Sequence, residues 1–419
     1  MSHRASERAL RGNSTQFQPT YYPNFVYLGT SNTSSNGAQG IKLGLEPDQY
    51  VITGTYGNIS SSGQGSVYIG PINSCSTSEG SGSGSWVIMN VPANWGTGGL
   101  NYSTSIYGPG AMVPGSGPGG IGSIELAGTY TNPISIDGNS TYQTLGFLYK
   151  GPLTSTPQSS DFAQFAAKTP EGRDTFDTFL HSWSGNLIAG NYTMRNSLLA
   201  LTLNTGLDSS AFVYEPSTTT QRHLNYDDGS ASHTVFGIWY NGASSWRSNA
   251  ETYTIAGGRS VANPAFRKLG DIGQALGAAT LADYDPVTGK VFNLRDYQYN
   301  NDRGRSFVTH FEGIYYAGDG IYQMPFTAAS TQGEVVGTAY AKRLSDGSFS
   351  SKALWHTMNA GSAGTLLSND SSAGLASVGL GQFTSSDSSS SSTARINPFA
   401  SLFSENGYEF ILQKAQLLT

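Results

Sequence analysis

The chain predicts an all-β fold built from a repeated unit of short strands, and three observations carry that expectation. The two halves of Thr178–Tyr192, TFLHSWSGNLIAGNY, recur along the sequence at a spacing of roughly 50 to 75 residues. Charged residues make up only 12% of the 419, about half the usual share, while Gly, Ser, Thr and Tyr abound. Short β-branched and aromatic runs end in Gly or Pro again and again, which is the punctuation of a hairpin array. A repeat of this length made of strands points to a β-propeller.

Three strand types cycle in order. The first resembles TSIYG and falls near 25, 104, 180, 234, 310 and 356. The second, IAGNY, has relatives at Ile52–Tyr56, Leu126–Tyr130 and Ile255–Arg259, with weaker ones near 321 and 376. The third is Ser66–Pro71, Gly146–Pro152 and Ala211–Pro216, and a fourth strand shows at Trp86–Pro92. Six of each of the first two types favour about six blades, with five or seven left open by the degenerate late copies. The C-terminal Tyr408–Leu412 resembles the third type. Paired beside Tyr21–Leu28, it would close the ring and remove exposed sheet edges.

Between these strands, residues 73–85 and 108–120 read as Gly/Ser/Pro-rich loops, and the spacing predicts one short helix over Ser160–Lys168. Residues 1–20 form a polar basic arm, expected to be disordered. A single propeller domain is expected over 21–419, with a flexible Ser-rich loop near 384–394.

The net charge is -6, and no basic run exists beyond the N-terminal arm, which argues against nucleic acid as a partner. Cys75 is the only cysteine, so an intrachain disulfide framework and a multi-cysteine metal site are excluded. No run of about 18 apolar residues provides a membrane span, and no signal peptide is visible. The low charge and Ser/Thr-rich composition favour an extracellular or cell-surface setting. Sequons such as Asn191-Tyr-Thr fit that setting, but a chain this rich in Ser and Thr collects them by chance.

The units TSIYGP at 104–109, LAGTY at 126–130, GFLYKGP at 146–152 and WVIMNVP at 86–92 resemble those of bacterial extracellular repeat proteins with tandem "TxxYGI…IVGxY…GFLY" motifs. The resemblance spans about residues 45–215. It implies a propeller-like fold and export, and it implies no reaction and no catalytic residues. The departures are histidines in the later units, where the pattern has Thr or Ser.

Those histidines are the one constellation with chemistry. His181 and His233 each stand four residues before a glycine, Gly185 and Gly237, as Thr104 stands before Gly108. His310 and His356 lie three and five before Gly313 and Gly361. If all four occupy the innermost strand of successive blades, their imidazoles converge on the central channel. There they could ligate a divalent transition metal, Zn or Fe. Glu312, two residues beyond His310 on the same strand face, would then orient an imidazole. The alternative is that they are hydrogen-bonded structural residues, and a one-residue slip between copies reverses the face. Trp239 and Trp355 are candidates for stacking on a planar ligand, with core packing as the alternative. No phosphate loop and no GxSxG elbow is present.

Two functions follow. One is a secreted or surface propeller that binds a small molecule, a glycan or a protein at its channel or face. The other is a metalloenzyme (hydrolase, lyase or oxygenase) with a histidine-held metal in the channel. The sequence leaves open whether the chain is an enzyme.

Overall fold

The computed structural model describes residues 20–22, 37–47, 49–56, 63–71, 84–95, 103–136, 139–193, 209–226, 233–244, 250–261, 276–301, 304–305, 308–330, 333–357, 364–367, 376–383 and 395–402. Five blades are arranged as a β-propeller. Each blade is an antiparallel meander whose first strand is innermost. Blade 1 is Gly37–Leu43, Tyr50–Tyr56, Gln64–Gly70 and Ser85–Met89; blade 2 is Thr104–Pro114, Ile121–Ile136, Asn139–Gly151 and Phe162–Phe165. Blade 3 is Asp177–Ser184, Leu187–Thr193, Ser209–Glu215 and Thr220–His223; blade 4 is His233–Ser244, Ala250–Val261, Leu276–Tyr284 and Val291–Tyr297.

Blade 5 has a divided inner strand. Val308–Phe311 and Tyr315–Gly318 both pair with Ile321–Ser330, followed by Gly333–Lys342 and Leu354–Thr357. A further sheet joins Gly364–Leu367, Ala376–Phe383, Arg395–Leu402 and, antiparallel to the last, Thr20–Tyr22. Tyr408–Leu412, most of the arm at 1–20 and the Ser-rich segment 384–394 lie outside the described residues. Among the described residues no helix is long and apolar enough to cross a membrane.

The repeated motifs have physical reasons. In the second strand, the glycine of Leu126–Tyr130 and Ile188–Tyr192 lies beneath an aromatic ring of the third. A Cβ on Gly128 would meet the Phe147 ring at 2.7 Å, and one on Gly190 would lie 2.5 Å from Phe212 Cζ. The ring covers the backbone that a bare glycine would leave open. The tyrosine of the third strand closes that strand's end: Tyr68 and Tyr149 donate their hydroxyls to the carbonyls of Pro71 and Pro152 at 2.8 and 2.5 Å. The Gly-Pro punctuation therefore marks a turn that the preceding tyrosine pins.

Apolar side chains bury between successive blades, as radial packing of twisted sheets requires. Val51, Val67 and Ile69 of blade 1 share a cluster with Ile106, Leu126 and Phe147 of blade 2. Ala189 and Val213 of blade 3 meet Val235, Ile238 and Ile255 of blade 4. Polar clasps cross the same seams. Asn191 accepts the Val235 N–H at 2.8 Å and donates to the Val235 carbonyl at 3.1 Å. Its sequon is therefore buried in a blade interface and unavailable to a glycan.

Four expectations need correction. The inner strand of blade 1 is Gly37–Leu43, not the stretch near 25, because that is what pairs with Tyr50–Tyr56. Gly108–Pro114 is not loop but the far end of a bulged inner strand that pairs with Ile121–Ile136. The expected helix at Ser160–Lys168 is a single 3-10 turn, Ser159–Asp161, followed by the strand Phe162–Phe165. Edge pairing with Gly146–Tyr149 wins there, since it brings Phe162 and Phe165 against Tyr149 and Tyr214 at 4.8 and 4.3 Å between ring centroids. Local helix propensity offers nothing comparable. Finally, His356 lies on the outer strand of blade 5, opposite Thr338, not on an inner strand.

Candidate functional site

The inner strands carry an irregularity at one level. The ladder skips a residue between Ala38 and Gly40, Ile106 and Gly108, Leu180 and Ser182, and Val235 and Gly237. The skipped residues are Gln39, Tyr107, His181 and Phe236. A bulge re-aims one side chain without altering the rest of the strand. In blade 5 the strand breaks at the same level, after Phe311, and the next residue is Glu312.

Gln39, Tyr107, His181 and Phe236 stand side by side along the inner strands, and His310 continues the row. Tyr107 is hydrogen-bonded to the Gln39 and Thr129 side chains. Its ring meets His181 edge-on at 5.1 Å, His181 meets Phe236 at 4.5 Å, and Phe236 meets His310 at 4.9 Å. His181 is buried, and its pKa is pushed down to about 3 by loss of solvent first and by the neighbouring His310 second. It is a neutral imidazole at physiological pH.

His310 reaches the same wall from two residues before Glu312. Its Nε2 is 2.7 Å from the Thr234 hydroxyl of blade 4, and its Nδ1 is 3.7 Å from Glu312 Oε1. That carboxylate oxygen accepts the Thr327 hydroxyl at 2.5 Å. Glu312 thus faces the His310 imidazole. Gly258 makes room: a Cβ there would sit 2.1 Å from His310 Cδ2.

The four histidines do not occupy equivalent positions. His233 aligns with Thr104 and Thr178, three residues earlier on the inner strand than His181. It stacks on Tyr226 at 4.9 Å, and its buried Nδ1 has no hydrogen-bond partner among the described residues. The glycine used to align the copies explains the difference. The counterpart of Gly108 and Gly237 in blade 3 is Ser182, whereas Gly185 is a turn glycine at φ 56°. The structure therefore brings His181 and His310 together on either side of Phe236. The His356 side chain is outside the described residues. Among the described residues no group of three or more His, Cys, Asp and Glu is placed to hold a metal.

A second feature lies where the inner strand of blade 4 ends. A cleft of about 380 Å³ is lined by Trp239, Asn241, Tyr316, Asp319, Tyr322 and Arg343 among others. Trp239 meets Tyr315 edge-on at 5.5 Å and Tyr316 at 6.0 Å. The floor is a buried charge pair: Arg343 donates to both oxygens of Asp283 at 2.6 and 2.7 Å, and to Thr254 at 2.9 Å. Tyr322 donates its hydroxyl to Asn241 at 2.8 Å, tying the floor to the cleft wall. Trp355, by contrast, packs among Phe311, Phe326 and Tyr299.

Sequence reasoning singled out Trp239 and passed over Asn241, Tyr316, Asp283 and Arg343. A turn begins two residues after Asp283. Asp285 accepts the N–H groups of Val287 and Thr288 at 2.9 and 3.1 Å.

No family model and no curated protein matches the sequence. Among solved structures, the chain is similar to the endo-arabinase from Bacteroides thetaiotaomicron, with TM-score 0.32 and 10% identity over 68% of this chain and 90% of that one. It is also similar to the GH32 beta-fructofuranosidase of Bombyx mori, with TM-score 0.35 and 9% identity over 85% and 69% of the two chains. A third likeness is to the WD40 domain of SCAP from fission yeast, with TM-score 0.28 and 9% identity over 88% and 77%. At these identities and scores the likenesses assign no role to any residue of this chain.

Proposed function

We propose that the protein is a ligand-binding propeller that holds an uncharged carbohydrate in the cleft between blades 4 and 5. The observation that carries this reading is the pairing of Trp239 and Tyr316 on the wall of a cavity of about 380 Å³ with Asn241, Asp319 and Ser345 at its polar positions. Sugar rings present flat C–H faces that stack on aromatic rings, with hydroxyls at the edge for amide and carboxylate partners. The charge of Arg343 is committed to Asp283, and Asp319 is an exposed carboxylate, so an anionic ligand finds no counter-charge.

This reading is consistent with a protein working at the cell surface or outside the cell, where the low-charge composition also fits. We further take the sheet of Gly364–Leu367, Ala376–Phe383, Arg395–Leu402 and Thr20–Tyr22 to be a sixth blade that closes the ring.

The test is a titration of purified protein with a panel of neutral oligosaccharides, read by tryptophan fluorescence and calorimetry. At least one should bind. Trp239→Ala should weaken it by at least about tenfold, the loss of one aromatic platform. Binding that survives Trp239→Ala unchanged, or a panel with no binder, sinks the proposal.

A further inference from the structure

The Thr234 hydroxyl, the His310 imidazole and the Glu312 carboxylate stand in line. Thr234 Oγ1 is 2.7 Å from His310 Nε2, and His310 Nδ1 is 3.7 Å from Glu312 Oε1. Hydroxyl, imidazole and carboxylate in this order form a nucleophile, its base and the group that orients the base. The second contact is longer than a hydrogen bond, as such contacts often are before substrate tightens them.

The arrangement is supported from every side. Thr234 has one other acceptor, the Gly258 carbonyl, at the longer distance of 3.3 Å. The Thr327 hydroxyl fixes the Glu312 oxygen that faces the ring. Gly258 is the one residue type that lets the imidazole occupy its place, since any Cβ would overlap it. The three members come from two blades, so the packing of blade 5 against blade 4 assembles them. Their accessibility is graded: the His310 side chain is 23% exposed, while that of Glu312 is 8% exposed. A substrate therefore reaches the imidazole but not the carboxylate, and Thr234 is half-buried beside the ring.

The surroundings select the substrate. Phe236 meets His310 at 4.9 Å, and behind it His181 is neutral and buried. An uncharged, aromatic wall beside a hydroxyl nucleophile suits a short acyl group.

We propose that Thr234, His310 and Glu312 are an ester-cleaving centre for uncharged carboxylic esters with a short acyl chain. Thr234 Oγ1 bonds to the ester carbonyl carbon, and its proton passes to His310 Nε2. The bond from that carbon to the alcohol oxygen breaks, and His310 returns the proton to the departing alcohol. Water then attacks the acyl-threonine and gives a proton to His310. The acid leaves, and Thr234 regains its hydroxyl proton. Glu312 stabilises the imidazolium in both halves. No electron donor or acceptor takes part. This activity is independent of the carbohydrate cleft, and either can fail without the other.

The test is incubation of the full chain with p-nitrophenyl acetate, followed by peptide mass spectrometry and a steady-state rate. One acetyl group should appear on Thr234. Thr234→Ser, which keeps the hydroxyl, should also be acetylated at that position. Thr234→Val and His310→Gln should lower the rate by at least about a hundredfold, and Glu312→Gln by about ten- to a hundredfold. The adduct on the unaltered protein is read directly, so a variant that misfolds cannot hide the answer. Absence of acetyl on Thr234 overturns the proposal, and so does hydrolysis by Thr234→Val at the unaltered rate.

Discussion

Arg343 grips Asp283 through two parallel N–H···O bonds, 2.6 and 2.7 Å long, across a separation of 60 residues. The pair joins the third strand of blade 4 to the residue that follows the third strand of blade 5. Asp283 has no exposed surface, and Asn293 and Thr254 satisfy more of its oxygens at 2.8 and 3.0 Å. The guanidinium also lies over the Phe349 ring at 4.4 Å. Each charge is there because the other is.

Arg343→Met or Asp283→Leu alone should therefore cost about 3–5 kcal/mol, the penalty for stranding one buried charge. The double substitution should cost less than either single one, since no ion is left without its partner. Urea unfolding of the three variants checks this. Additive losses would mean the two residues act separately.

Gly190 should not tolerate a side chain. Its Cβ would lie 2.5 Å from Phe212 Cζ and 2.6 Å from the Phe179 carbonyl. Gly190→Ala is expected to cost about 1–3 kcal/mol by overpacking. Phe212→Leu, made together with it, should recover part of the loss by removing the ring that the methyl strikes. A double-mutant cycle with no coupling would place the strain against the Phe179 backbone instead.

The strand pattern was legible because local chemistry writes it. The glycine of Leu126–Tyr130 needs the Phe147 ring opposite, and the tyrosine of Gly146–Pro152 needs its own turn, so both leave fixed sequence marks. The site was less legible. A bulge adds a residue without a sequence marker, so glycine spacing set His181 beside His233 when its counterpart is Phe236. The divided inner strand of blade 5 hid Glu312 as a bulge-level residue, although its relation to His310 could be read from two-residue spacing. Asp283 and Arg343 left no local trace, because each satisfies a partner in another blade.

His181 should make stability depend on pH. Burial and His310 lower its pKa from an ordinary 6.5 to about 3 in the folded chain. Between those values the unfolded chain holds a proton that the folded chain excludes. The stabilisation is complete above the unfolded pKa and is lost as pH falls toward the folded one. The slope for one proton approaches about 1.4 kcal/mol per pH unit. His181→Phe keeps an aromatic ring against Phe236 and Tyr107 and removes that proton. Its urea midpoint should fall less steeply than the parent's from neutral pH to about pH 4. Burial also depresses His223 and His233, so some slope remains in both proteins. Identical slopes would mean that His181 gains a proton without unfolding the chain.

Ring closure can be tested through the pairing of Thr20–Tyr22 with Arg395–Leu402. Tyr21 stands opposite Ser401 in that antiparallel ladder. Directly opposed residues have Cα atoms about 4.5–5.5 Å apart, inside the range that a disulfide spans. Cysteines at both positions, in a Cys75→Ser background to leave one pairing, should therefore oxidise spontaneously. The bond would enclose nearly the whole chain, and loop entropy alone predicts a stabilisation of about 6 kcal/mol. The oxidised variant should run faster on a non-reducing gel and melt at a higher temperature, with both changes reversed by dithiothreitol. If instead the ends do not meet, the two thiols will remain free and reactive. The fold must then manage an open edge at Arg395–Leu402.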